Sequence, residues 1–228
     1  MAAKIKARPA LAVYHGEQGI GGTGAAAALR KLKIPFAMIT ADEIQGGKLK
    51  NFKGIIFPGG GSIEIEKAGD REVKSFITKG GGCVGICAGC QYGTRMALLP
   101  VGWSPMRAGG IFDMRIIARH RISTGYEIAG KYPRGRQWKY SNKGRARIRY
   151  ANGGIMLPGK GVRTIASFDE YGEHATIVTG HYGKGRVVLI SPHPESTPAV
   201  KEKRYGDSDQ SQDPLMLFAN SISYILKQ

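Results

Sequence analysis

Short apolar runs alternate with amphipathic stretches through the first hundred residues. The runs at 9–14, 35–40, 54–57 and 82–86 are four to six residues long and bounded by Gly, Pro or polar residues, so each reads as a buried strand. Between them lie helical stretches. Thr23 is the expected N-cap of an Ala-rich helix ending near Lys33, and Asp70 that of a helix reaching about Lys79 with Val73, Phe76 and Ile77 on one face. A further helix is expected directly after Cys87. Strand and helix thus alternate four times up to residue 98, which predicts a parallel sheet covered by helices on both faces. Past Pro100 the period shortens. Strands are expected at 111–118, 146–150, 163–168, 175–182 and 186–191, with Gly183-Lys184-Gly185 as a tight hairpin turn between the last two. A final helix is expected with Asp213 as N-cap, Pro214 as first residue, and Leu215, Phe218, Ile222 and Ile225 as its apolar face. No repeat interrupts this order, so residues 1–228 read as one α/β domain with a mostly parallel central sheet.

Charge changes the picture in one region. The chain of 228 residues carries a formal net charge of +17. Within 103–149 stand Arg107, Arg115, Arg119, Arg121, Lys131, Arg134, Arg136, Lys139, Lys143, Arg145, Arg147 and Arg149, against only Asp113 and Glu127. Trp103, Tyr126, Tyr132, Trp138 and Tyr140 are interleaved with them. Basic residues mixed with aromatics can form a nucleic-acid surface. The segment matches no RNA- or DNA-binding motif, and a basic β-rich insertion over the active site, selecting an acidic substrate, is the preferred reading. No apolar run approaches the roughly 18 residues of a membrane helix. The three cysteines do not form a disulfide framework, and a cytoplasmic location is expected. Cys87 and Cys90 form a C-x-x-C without a second pair, so a zinc site is not expected, and a redox role stays open.

Gly80 to Thr94, GGGCVGICAGCQYGT, places Cys87 where an apolar strand turns sharply into a helix. Small neighbours such as Gly85, Ala88 and Gly89 suit that turn. A thiol there faces the positive end of the helix, which favours thiolate, and the first helical N–H groups can hold an oxyanion. The alternative is a small buried hydrophobe. The run Pro58-Gly59-Gly60-Gly61-Ser62 ends the preceding strand and offers more N–H groups, so Gly60, Gly61 and Ala88 are oxyanion-hole candidates. The glycine-rich loop at 15–22 is either a plain βα turn or stands beside the site, with Glu17 as a substrate-binding candidate. Among five histidines, His193 follows an apolar strand and lies between two prolines, and Glu195 two residues on can hold its ring. The roles would be Cys87 nucleophile, His193 base and Glu195 orienting acid.

The motifs Gly-Ile-Cys-Ala-Gly-Cys-Gln at 85–91 and His-Pro-Glu at 193–195 resemble those of the class I glutamine amidotransferase superfamily. Val13-Tyr14-His15-Gly16, the Pro-Gly-Gly loop and Tyr182-Gly183-Lys184-Gly185-Arg186-Val187-Val188-Leu189 are similar, within it, to the N-terminal domain of eukaryotic biotin–protein ligases. The resemblance implies a flavodoxin-like three-layer sandwich and a Cys87–His193–Glu195 triad. It also implies amide cleavage through a thioester without metal or organic cofactor, with a partner synthase or ligase as one destination for the product. Gln91 matches the glutamine-binding Gln that follows the nucleophile, whereas Cys90 stands where many members have His. The segment by which glutaminases contact the glutamine backbone corresponds to 150–154 and has no clear match, which leaves the substrate, glutamine or another small amide or anion, open. Asn152 in that segment is a further substrate-binding candidate. A catalytically silent binding domain of the same fold, holding an anionic ligand or partner, is the alternative.

Overall fold

The computed structural model describes residues 9–16, 22–129, 144–168, 174–196 and 214–227. Its first half alternates strand and helix: β1 (Leu11–Tyr14), α1 (Thr23–Lys31), β2 (Phe36–Ile39), α2 (Ala41–Gln45), β3 (Gly54–Phe57), α3 (Lys67–Thr78), β4 (Gly82–Ile86) and α4 (Ala88–Arg95). There follow β5 (Val101–Pro105), β6 (Gly109–Ile116), β7 (Arg145–Ala151), β8 (Gly154–Pro158), β9 (Arg163–Phe168), β10 (Ala175–Tyr182), β11 (Gly185–Ile190) and α5 (Leu215–Leu226). The runs GIIF and GCVGI are buried at every position, as strands covered on both faces must be. Their side chains alternate between two cores. Ile56, Val84 and Ile86 meet α1 and α5 through Leu29, Phe218 and Ile222, while Ile55, Phe57 and Cys83 meet α3 and α4 through Val73, Ile77 and Tyr92.

All eleven strands join one sheet, with main order β2-β1-β3-β4-β11-β10-β9-β6-β7. The first five of these are parallel. The remaining pairs along this order are antiparallel. The sheet is therefore mixed, where a mostly parallel one was expected. The reason lies in the connections: a parallel neighbour requires a long crossover, usually a helix, and between α4 and α5 the described chain contains only strands, turns and one short 3-10 turn. The hairpin at Gly183-Lys184 turns β10 into β11, with Gly183 at φ 58°. It brings the last strand back beside β4.

Three helix starts differ from expectation. Thr23 is the first residue of α1, and Gly22, at φ 85°, is its cap; the left-handed conformation suits glycine there. Asp70 lies inside the first turn of α3, where it accepts a hydrogen bond from the Tyr92 hydroxyl at 2.7 Å. The α5 face is buried as expected, but the helix begins at Leu215 with Pro214, the expected first residue, as its cap, because a proline has no N–H to give and its fixed φ suits the entry to a helix; Asp213, the expected cap, lies outside the described residues. In the basic segment β6 and β7 continue the sheet to its far edge. Ala146, Ile148 and Tyr150 are buried on one face of β7, while Arg145, Arg147 and Arg149 occupy the other. No helix is long and apolar enough to cross a membrane.

Candidate active site

The loops after β1, β3, β4 and β11 meet at the C-terminal ends of the parallel strands, where open α/β sheets place their ligand crevices. They enclose an open cleft of about 550 Å³. Cys87 stands at its base with φ 51° and ψ −107°, a conformation seldom held by a residue with a side chain. Backbone bonds on both sides impose it: Cys87 N–H donates to Ile190 O at 2.8 Å, and Gln91 N–H donates to Cys87 O at 3.0 Å. The glycines around it act by absence of bulk. A Cβ on Gly85 would lie 2.4 Å from Gly89 O, and one on Gly89 would lie 1.9 Å from Phe57 O. α4 can therefore start directly against β3 and β4 only because these positions are glycine. Ala88, its first residue, has an N–H with no partner inside the helix.

His193 is seated by two strands. Its N–H donates to Arg149 O at 2.8 Å, which ties the end of β7 to the segment after β11. Its Nδ1 lies 2.8 Å from Oε1 of the buried Glu195. Burial works against the charged ring, but the Glu195 carboxylate and the Cys87 side chain outweigh it and raise the His193 pKa to about 10. Glu195 Oε2 is buried with no hydrogen-bond partner among the described residues. Gly59 fits between the two key side chains. A Cβ there would lie 2.5 Å from His193 Cε1 and 2.8 Å from Cys87 Cβ. The Cys87 thiol itself donates to Ala151 O at 3.5 Å.

The cleft brings together Cys87, His193, Glu195, Gly60, Gly61, Ala88, Gln91 and Asn152. Glu17 lies outside the described residues. None of His15, His120, His174 and His181 lines the cleft. Cys90 is fully buried with Sγ 3.4 Å from Met156 Sδ, and burial, then Cys87, push its thiol well above the usual range. Burial likewise pushes the Cys83 thiol up to about 12. All three cysteines are free, so the C-x-x-C forms no disulfide. Among the described residues no group of three or more His, Cys, Asp or Glu side chains could hold a metal.

Sequence reasoning missed Arg149, Ala151 and Trp103 as lining residues. Arg149 was hidden in a basic run, and Trp103 among interleaved aromatics. The one usable signal was alternation: Arg149 and Ala151 must share a face of their strand, immediately before Asn152.

No protein-family model matches the chain, and no curated protein matches it in sequence. Solved structures do match. PurLQS from Thermotoga maritima aligns with a TM-score of 0.62 at 20% identity, over 95% of this chain and 99% of that one. A glutamine amidotransferase from Thermotoga maritima gives 0.61 at 14% identity, over 97% and 99%. A ThuA-like protein from Bacteroides uniformis gives 0.62 at 13% identity, over 100% and 96%. At these identities the likeness lies in the fold, and the chain has a glutamine amidotransferase-like α/β fold.

Proposed function

We propose that the chain is a cysteine-dependent amidohydrolase or amidotransferase-like enzyme. The observation that carries this reading is the placement of Cys87 at a positive-φ strand-to-helix turn beside a histidine whose Nδ1 is held by Glu195 at 2.8 Å. With Nδ1 engaged, Nε2 is the nitrogen left to exchange a proton with Cys87. Cys87, its proton already held by the His193 ring, attacks the amide carbonyl as thiolate. The oxyanion forms against N–H groups of Ala88 and of Gly60 or Gly61. As the C–N bond breaks, His193 returns the proton to the leaving nitrogen, and a thioester remains. Water, deprotonated by His193, then releases the acid, or an acceptor takes the acyl group. Gln91 and Asn152 contact the substrate. Where ammonia is the product, a partner synthase or ligase would use it. The affinity to biotin–protein ligase N-terminal domains rests on the sequence motifs.

A second reading is favoured by the thiol's hydrogen bond to the backbone carbonyl of Ala151. In that reading the chain is a silent binding domain that uses the cleft to hold an anionic ligand or partner. Covalent labelling of Cys87, read by mass spectrometry, separates the two. With a glutamine-mimicking electrophile and with iodoacetamide, the enzyme reading expects fast labelling that His193→Ala slows by about a hundredfold or more. Labelling no faster than that of a free thiol, and indifferent to His193, would leave the binding domain.

A further inference from the structure

Among the described residues that line the cleft, Arg149 is the only lysine or arginine and Glu195 the only carboxylate. Glu195 is committed to His193 through Oε1 and is buried. Arg149 is half-buried, and its side chain makes one hydrogen bond among the described residues, from Nη1 to Ser196 Oγ at 3.3 Å. No carboxylate among them pairs with it. The strand fixes where this charge sits. Arg149 and Ala151 lie on the same face of β7; Arg149 O holds His193 N–H, and Ala151 O holds the Cys87 thiol. The backbone that carries Arg149 is therefore touched by both members of the reacting pair, and Arg149 and the Ser196 to which its Nη1 donates line the same cleft. The remaining polar lining is neutral: Thr23, Ser62, Gln91, Asn152 and Ser196.

Resting on the enzyme reading above, we propose that Arg149 forms an anion subsite and that the amide accepted at Cys87 carries a carboxylate but no ammonium group. A guanidinium without a carboxylate partner offers two parallel N–H donors that match a carboxylate. Among the described residues the one carboxylate of the cleft is already used, so none of opposite charge remains there for an ammonium. An ω-amido carboxylate fits this lining better than the corresponding amino acid, whose α-ammonium would lie beside a guanidinium and an imidazolium.

The test uses the full chain and two alkylating probes of similar size, anionic iodoacetate and neutral iodoacetamide, with Cys87 labelling followed by fragment-ion mass spectrometry. The ratio of the two rates in the native chain is compared with that of the denatured chain. The subsite raises this ratio, and Arg149→Gln lowers it by about tenfold, the worth of one charged hydrogen bond. Arg149→Lys restores part of it. A merely structural role for Arg149 would slow both reagents alike and leave the ratio unchanged, and that outcome overturns the proposal. In a second arm glutaramate, glutamine and valeramide compete with iodoacetamide. Glutaramate is expected to protect Cys87 at the lowest concentration, with its advantage over valeramide lost in Arg149→Gln. Protection by glutamine at a lower concentration than glutaramate overturns the absence of an ammonium site while leaving the reactive Cys87 intact. Slow labelling by both probes in the native chain, with normal labelling after denaturation, overturns the enzyme reading and this inference together.

Discussion

Gly59 is the residue on which the geometry of the cleft turns. Its missing side chain leaves the space that His193 Cε1 and Cys87 Cβ approach. Gly59→Ala forces one of them aside. A displacement of about 1 Å at reacting groups costs up to about a hundredfold in rate. Iodoacetamide labelling of Cys87 in Gly59→Ala should therefore slow by at least about tenfold, and an unchanged rate would show that the two side chains do not act together. The His193 ring makes a separate, pH-dependent prediction. Its native pKa of about 10 lies above the ordinary value of 6.5. Between those values the folded chain holds a proton that the unfolded chain has released. The stabilisation is complete below about pH 6.5 and is lost as pH rises through about 10. Ring resonances of His193 should stay in the protonated position at pH 8. Glu195→Gln should lower the titration midpoint, because it removes the carboxylate that favours the charged ring. Melting temperature should fall between pH 7 and pH 10 more steeply in the native sequence than in His193→Gln. A ring that titrates near its ordinary value would contradict the coupling to Glu195.

At the scale of elements, α4 depends on two glycines that let it start against the sheet. Gly89→Ala would place a methyl 1.9 Å from Phe57 O, a backbone atom of β3 that cannot swing away. Overpacking of this kind costs about 3 kcal/mol. At roughly 2–4 °C per kcal/mol for a chain of this size, the melting temperature should fall by about 6–12 °C. A Gly89→Ala variant as stable as the parent would mean that α4 can slide along the strands. The same turn explains why so much of this half was readable in sequence. Gly54–Phe57 and Gly82–Ile86 are buried on both faces, so their apolar runs are continuous, and the glycines and prolines that end them mark the turns. The Cys87 elbow and the His193–Glu195 pair were legible for a related reason: each is made within a few neighbouring residues. β5 and β8 were not legible. They pair with each other, and β8 meets β10 only at Met156–Ala175, so their extended form is imposed by distant partners. Arg149 was illegible as a lining residue because its place depends on a bond to His193, 44 positions away.

At the scale of the whole molecule, a sheet that is parallel on one side of β11 and antiparallel on the other could be two units that happen to touch. The contacts across β11 argue against independence. Val187–Ile190 pair in parallel with Cys83–Ile86, while the same strand pairs through six positions with β10. One buried cluster contains Val13 and Ile56 of the parallel half together with Met114, Ile148 and Ile177 of the antiparallel half. α5 joins both sides. It packs on β3, β4 and β11, Asn220 Nδ2 donates to Ile122 O at 3.1 Å and Thr124 O at 2.9 Å, and Arg186 Nη1 donates to Tyr224 O at 2.8 Å. The cleft itself requires both halves, since Cys87 comes from β4–α4 and the seat of His193 from β7. Folding should accordingly be one cooperative transition. For the 228 residues a single endotherm of about 160 kcal/mol is expected near 60 °C, at about 0.7 kcal/mol per residue. Calorimetric and van't Hoff enthalpies should agree. The His193-dependent acceleration of Cys87 labelling by iodoacetamide should be lost along the same curve, because a pair held between both halves cannot survive the melting of one. Two resolved endotherms, or an acceleration lost well below the main transition, would mean that the basic strands form a separately folding layer and that the cleft is complete only when it docks.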